Sequence, residues 1–150
     1  MHGTLFKQLT VKQADHYSLP LVKQFYKKNG MRAQAPKGEK IYVVTLDSRI
    51  IAALRLSPIG TNHLLRSMCV ASDLRKQGIG SYLLEQIQSE LVNLNCYCFP
   101  YTHLESFYGS SGFVALEVES APEAIQDKFL RYINNGKNIC LMKHQRSMIE

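Results

Sequence analysis

The stretch Leu64–Leu94, LLRSMCVASDLRKQGIGSYLLEQIQSELVNL, decides how the chain is read. Leu64 to Val70 is an apolar run of strand length. Arg75, Lys76, Gln77, Gly78 and Gly80 then make a polar turn. From Ile79 the apolar residues Ile79, Leu83, Ile87 and Leu91 recur every fourth position, which is one face of a helix, with Leu84 and Leu94 beside them. Glu85, Gln86, Gln88, Ser89 and Glu90 are assigned to the opposite, watered face. A strand that delivers a glycine turn onto a helix start makes an anion site. The first N–H groups of the helix have no intrahelical acceptor, and the helix dipole adds about half a positive charge there. Gly78 and Gly80 allow a phosphate close to the backbone, and Arg75 and Lys76 place two cations beside it.

Working outward, the 150 residues are enough for one domain with a substantial core, expected to span 1–150. Apolar residues at 45% and charged residues at 20% argue for a globular rather than a disordered chain. The net charge of +6 favours an anionic partner. The basic residues are scattered and no aromatic-basic RNA motif occurs, so nucleic acid is not the expected one. No apolar run reaches the ~18 residues of a membrane span, and the N-terminus lacks the pattern of a signal peptide. Cys69, Cys96, Cys98 and Cys140 lie in apolar strand-like segments without a second pair at zinc-finger spacing. They are expected as reduced core thiols in a cytoplasmic protein, with no metal bound.

The remaining elements follow from local pattern. Thr4 to Thr10 reads as a strand and Val11 to Lys28 as a helix. Asp15 or Ser18 is its cap, Pro20 lies in its first turn, and Leu21, Val22, Phe25 and Tyr26 form its apolar face. Asn29-Gly30 stops it. Met31 to Lys40 reads as a loop or short frayed helix. Ile41 to Leu46 and Ile50 to Ser57 form a hairpin around Asp47-Ser48-Arg49, and Pro58 to Asn62 turns into the strand at 64–70. Cys96 to Phe99, reached through the long helix, is expected to pair in parallel with that strand. Thr102 to Ser110 is a short helix, Phe113 to Glu119 a strand, Pro122 to Asn134 a helix, and Ile139 to Lys143 a strand that closes the sheet. The expected class is α/β (α+β): a mixed, mostly antiparallel sheet of about seven strands with about four helices.

Two phosphate motifs are excluded. GxGxxG needs a third glycine where Leu83 stands, and GxxxxGK[ST] is absent. What remains is Arg75-x-x-Gly78-x-Gly80 after a strand ending in Val70. About 27 residues beyond Gly80 comes Phe107-Tyr108-Gly109-Ser110-Ser111-Gly112-Phe113. With both segments in view, the chain resembles the GNAT superfamily of acyl-CoA-dependent N-acetyltransferases. The first segment is similar to its motif A and the second to its motif B, and the order of elements fits along nearly the whole chain.

The resemblance implies acetyl-CoA as co-substrate and an acyl-CoA N-acyltransferase fold. Met68, Cys69 and Val70 would hold the pantetheine arm through the backbone. Arg75, Lys76, Gln77, Gly78, Ile79, Gly80 and Ser81 would receive the pyrophosphate. Tyr108 would be the acid that protonates the departing CoA thiolate, and an N–H at Cys69 or Val70 would meet the oxyanion. The acceptor would be a primary amine of a small molecule or peptide, near residues 11–40 and 119–138. A homodimer through sheet edges or C-terminal strands also follows the family habit. Two departures stand out. The 64–70 strand carries no carboxylate to act as base, leaving Glu105, His103, Glu117 and His63, and Tyr101 stands where many relatives have Asn. A non-catalytic acyl-CoA-binding sensor or interaction module is the alternative, keeping residues 68–81 but not needing Tyr108.

Overall fold

The computed structural model of the chain describes residues 6–32 and 38–145. The start of the expected 4–10 strand and most of the expected 31–40 loop lie outside them. Seven strands form one mixed sheet: β1 (Leu9–Gln13), β2 (Lys40–Leu46), β3 (Arg49–Ile59), β4 (Asn62–Val70), β5 (Cys96–Cys98), β6 (Phe113–Ala115) and β7 (Met142–His144). Their order is β1-β2-β3-β4-β5-β7-β6. β4 and β5 pair in parallel, from His63↔Cys96 to Leu65↔Cys98. Among the described residues there are five α-helices: α1 (Leu19–Lys28), α2 (Ile79–Gln86), α3 (Gln88–Asn93), α4 (Glu105–Gly109) and α5 (Glu123–Asn134).

By its contacts the chain divides into two compact units, Met1–Ser57 with Arg66–Gln86, and Pro58–Leu65 with Ile87–Glu150. In the first, β1 pairs antiparallel with β2 from Leu9↔Leu46 to Gln13↔Tyr42. Val11 to Gln13 are therefore strand, not the start of a helix. Their partners on β2 supply ladder bonds that outweigh a weak helical pattern. Asp15 caps a single 3-10 turn, accepting from Ser18 N at 2.9 Å, and α1 begins at Leu19 with Pro20 in its first turn. Val22, Phe25 and Tyr26 are buried, but Leu21 is 56% exposed and does not belong to the apolar face. The β2–β3 hairpin closes in two residues, Asp47 (φ 50°) and Ser48 (φ 67°), while Arg49 already pairs with Leu46. Two left-handed residues match the twist of the flanking strands.

In the second unit, Leu64, Tyr97, Ala121, Ile125, Phe129 and Leu141 make a core cluster. The helix expected across Ile79–Leu94 is interrupted at Ile87 (φ −110°, ψ 22°). Past the break, Gln88 is 4% exposed rather than on the watered face, because its amide finds partners inside the protein. β6 is three residues long, and Val118–Ser120 form a 3-10 turn where strand was expected. The last strand does not close an edge: β7 lies between β5 and β6, pairing antiparallel with both. No helix among the described residues is long and apolar enough to cross a membrane.

Candidate functional site

The segment from β4 to α2 lies wholly in the first unit from Arg66 onward. β4 carries a left-handed residue in its middle, Ser67 at φ 58°, and the Tyr26 hydroxyl donates to the Ser67 carbonyl at 2.9 Å. A left-handed residue in a strand re-aims the backbone that follows, here Met68, Cys69 and Val70. The pairing with β5 ends at Leu65↔Cys98, before these residues begin. Beyond Val70, Ala71 N donates to Ile51 O at 2.8 Å. Ser72 N donates to Asn29 Oδ1 at 3.1 Å, and Asp73 pairs with Arg49 at 3.0 Å. The loop is thus tied to β3, to the end of α1 and to the hairpin turn.

Arg75 turns back so that its Nε donates to Val70 O at 3.1 Å. Lys76 (φ 65°) and Gly78 (φ 84°) are both left-handed and carry the chain round to α2. A side chain at Gly78 would be strained by that φ. The first helical bond is Tyr82 N to Gly78 O at 2.9 Å, so the N–H groups of Ile79, Gly80 and Ser81 precede the helical ladder. Arg75, Lys76 and Gly78 are exposed, Gln77 and Ser81 are half-buried, and Ile79 and Gly80 are buried. Two cationic side chains therefore face water at a turn whose next N–H groups precede the helical ladder, an arrangement suited to an anionic group.

Burial pushes the Cys69 thiol up, only partly offset by Arg75. The buried Cys96 is pushed up to about 12, and Cys98 rises for the same reason. Cys140 is half-buried, and all four thiols are free. A protonated Cys69 is a poor nucleophile at neutral pH.

Tyr108 lies in the second unit, on α4. It is 7% exposed and packs edge-to-face with Phe107 at 4.9 Å and Phe113 at 5.8 Å. Burial, with smaller contributions from Cys98 and Cys96, raises its phenol well above the ordinary value, so it stays protonated. Glu105, Glu117, His103 and His63 are the candidate bases. Glu105, Glu117 and His103 are exposed, and His63 Nδ1 donates to Leu94 O at 3.0 Å.

Two buried polar clusters escaped the sequence reading. In the first unit Arg55 stacks over the Tyr26 ring at 4.5 Å and faces Glu39 at 3.9 Å, while the Ser57 hydroxyl donates to Glu39. An arginine inside the apolar run Ile50–Ser57 was the available signal. In the second, Gln88 Nε2 donates to Ser111 O at 3.0 Å and its Oε1 accepts from His144 Nε2 at 2.7 Å. A cavity of about 590 Å³ in the first unit is lined by Phe25, Lys28, Arg49 and Asp73 among others. It shares the loop's first residues but none of Met68–Val70 or Arg75–Ser81.

Residues 37–115 match the model of the acetyltransferase (GNAT) domain. The chain belongs to the GNAT family. The GNAT match takes in β4, the turn and Tyr108. The chain is also 31% identical over 64 residues to the PanD regulatory factor of Escherichia coli K12, covering 43% of this chain and 50% of that protein. With the PanD regulatory factor of Salmonella typhimurium LT2 it shares 25% identity over 92 residues, 59% of this chain and 72% of the relative. The chain thus spans half the length of the first of these relatives. Among solved structures, the N-acetylglutamate synthase of Neisseria gonorrhoeae, complexed with coenzyme A and N-acetyl-glutamate, superposes with a TM-score of 0.68. That pair is 14% identical over 92% of this chain and 35% of the synthase, and the likeness is one of fold.

Proposed function

We propose that this GNAT domain binds acetyl-CoA along Met68–Val70 and around Arg75–Ser81, and transfers the acetyl group to a primary amine of a small molecule or peptide. The observation that carries the reading is the turn. Left-handed Lys76 and Gly78 bring β4 onto a helix start whose first N–H groups lie ahead of the ladder. The reading takes residues 1–150 as one domain. The amine nitrogen bonds to the thioester carbon and the C–S bond breaks. The amine gives up one proton and the departing sulfur takes one. An N–H at Cys69 or Val70 meets the oxyanion. Tyr108 is the proton donor to the sulfur in this reading. Its raised pKa makes it a hydrogen-bond donor first, with full proton transfer to a thiolate of pKa about 8.5 running uphill.

A second reading has a specific basis: an acetyl-CoA-responsive module that regulates a protein partner. Both curated relatives are PanD regulatory factors, and β4 offers no carboxylate as base. PanD of the same organism is the first partner to test.

Thiol release from acetyl-CoA across a panel of amines separates the two. Turnover is expected with at least one amine. Gly78→Val abolishes acetyl-CoA binding, while Tyr108→Phe keeps binding and lowers turnover by about a hundredfold. Acetyl-CoA binding without thiol release from any amine, combined with acetyl-CoA-dependent association with PanD, would select the regulatory reading.

A further inference from the structure

The buried cluster around Tyr26 has a geometry that the core alone does not call for. Ser67 holds a left-handed backbone in the middle of a strand, a conformation that a residue other than glycine keeps only where its surroundings over-determine it. The contact recorded at that residue's carbonyl is the Tyr26 hydroxyl at 2.9 Å. Tyr26 is fully buried, and Arg55, itself 2% exposed, lies over its ring at 4.5 Å. Arg55 is held in turn by Glu39, which accepts from Ser57. A chain of contacts therefore runs from β2's approach, through β3 and α1, to Ser67, the left-handed residue just ahead of Met68–Val70.

We infer that Tyr26 is a positioning residue for the pantetheine arm: by fixing the Ser67 carbonyl it aims the backbone of Met68, Cys69 and Val70 at the cofactor. The inference rests on the acyl-CoA reading of those three residues. Arg55 acts one step back. Its flat guanidinium sets the ring plane of Tyr26, and Glu39 and Ser57 set the guanidinium. Burial raises the Tyr26 phenol, so the hydroxyl stays a donor across the working pH range. The device differs from the turn at Arg75–Ser81, which receives charge. This one holds a neutral stretch of backbone, so the two halves of the cofactor should depend on it unequally.

Tyr26→Phe keeps the ring and removes the hydroxyl, and with it both the donation to Ser67 O and the bond from Arg55. Calorimetric titration of the full chain with CoA, and separately with the nucleotide half alone (3′-phospho-ADP, which has no pantetheine), reads the difference. The variant is expected to bind CoA about five- to tenfold more weakly while its affinity for 3′-phospho-ADP is unchanged. Amide exchange at Met68–Val70 should quicken in the same variant without ligand. Arg55→Lys retains the charge facing Glu39 but gives up the flat stack, and should show the same selectivity at about two- to threefold. Equal weakening of both ligands, or no weakening of either, overturns the positioning role. If the wild-type chain binds neither CoA nor 3′-phospho-ADP, the acyl-CoA reading itself fails and takes this inference with it.

Discussion

The two buried polar clusters, one in each unit, are assembled from different chemistry. In the first unit a guanidinium and a carboxylate meet at 3.9 Å, with side chains 3% and 2% exposed, and an aromatic ring and a hydroxyl complete the group. In the second, an amide bridges an imidazole at 2.7 Å and a backbone carbonyl at 3.0 Å. Burying ions costs far more solvation than burying an amide, and that cost returns in full if one ion is removed. An amide network left incomplete costs the desolvation of the neutral groups left unpaired, which is smaller than that of an ion. The first cluster should therefore be the more brittle of the two, and the second the more forgiving.

Arg55→Ala probes the brittle side. It strands the Glu39 carboxylate and should lower unfolding free energy by about 3–5 kcal/mol in urea titrations. The double variant Arg55→Met with Glu39→Gln removes both ions and should recover much of that loss. If it recovers nothing, the penalty lies in packing and the contrast between the clusters dissolves. Gln88→Ala addresses the forgiving side. It leaves the Ser111 carbonyl and the His144 ring without the amide and should cost about 1–3 kcal/mol. A loss matching that of Arg55→Ala would erase the distinction.

The second unit has a pH signature of its own. Cys96 is pushed up to about 12 from an ordinary value of 9.0 because burial disfavours its thiolate. The unfolded chain then gives up this proton near pH 9 while the folded chain holds it. Stability is fully present below pH 9 and falls as pH rises towards 12, by about 1.4 kcal/mol per pH unit for the one thiol. Cys96→Ala should flatten the fall in melting temperature between pH 9 and 11. The smallest effect belongs to the exposed Arg49–Asp73 pair at 3.0 Å. Arg49 holds the Asp73 carboxyl below the usual carboxylate range, so any support from the pair is present above that range and disappears on acidification. At pH 7 Arg49→Ala should leave the melting temperature unchanged within error.

Local chemistry carried most of the fold into the sequence, and tertiary partners account for what it hid. Gly78 announces itself because only glycine suits its φ of 84° without strain, and Leu64–Val70 reads as strand from composition alone. Val11–Gln13 could not be placed without β2, whose residues Tyr42 to Val44 pair with them. The position of β7 between β5 and β6 is equally non-local, since nothing within Met142–His144 encodes a neighbour. Gln88 looked solvated because its spacing puts it beside Glu85 and Ser89. Its partners, Ser111 and His144, lie 23 and 56 residues away. The turn from Arg75 to Ser81 was legible as a glycine turn between strand and helix, whereas Tyr26 passed as an ordinary member of an apolar helix face. Its function is carried by a hydroxyl whose acceptor is 41 residues distant.

The Asp47–Ser48 hairpin turn has a practical consequence for engineering. Both residues sit at positive φ, a conformation in which a Cβ is a burden and for which Asp-Gly is the favoured pair. Replacing Ser48 with glycine should raise stability by about 0.5–1 kcal/mol, with the register of the two strands preserved. A thermostable version of this chain can therefore start at a two-residue loop, leaving β4 and the turn at Arg75–Ser81 unaltered.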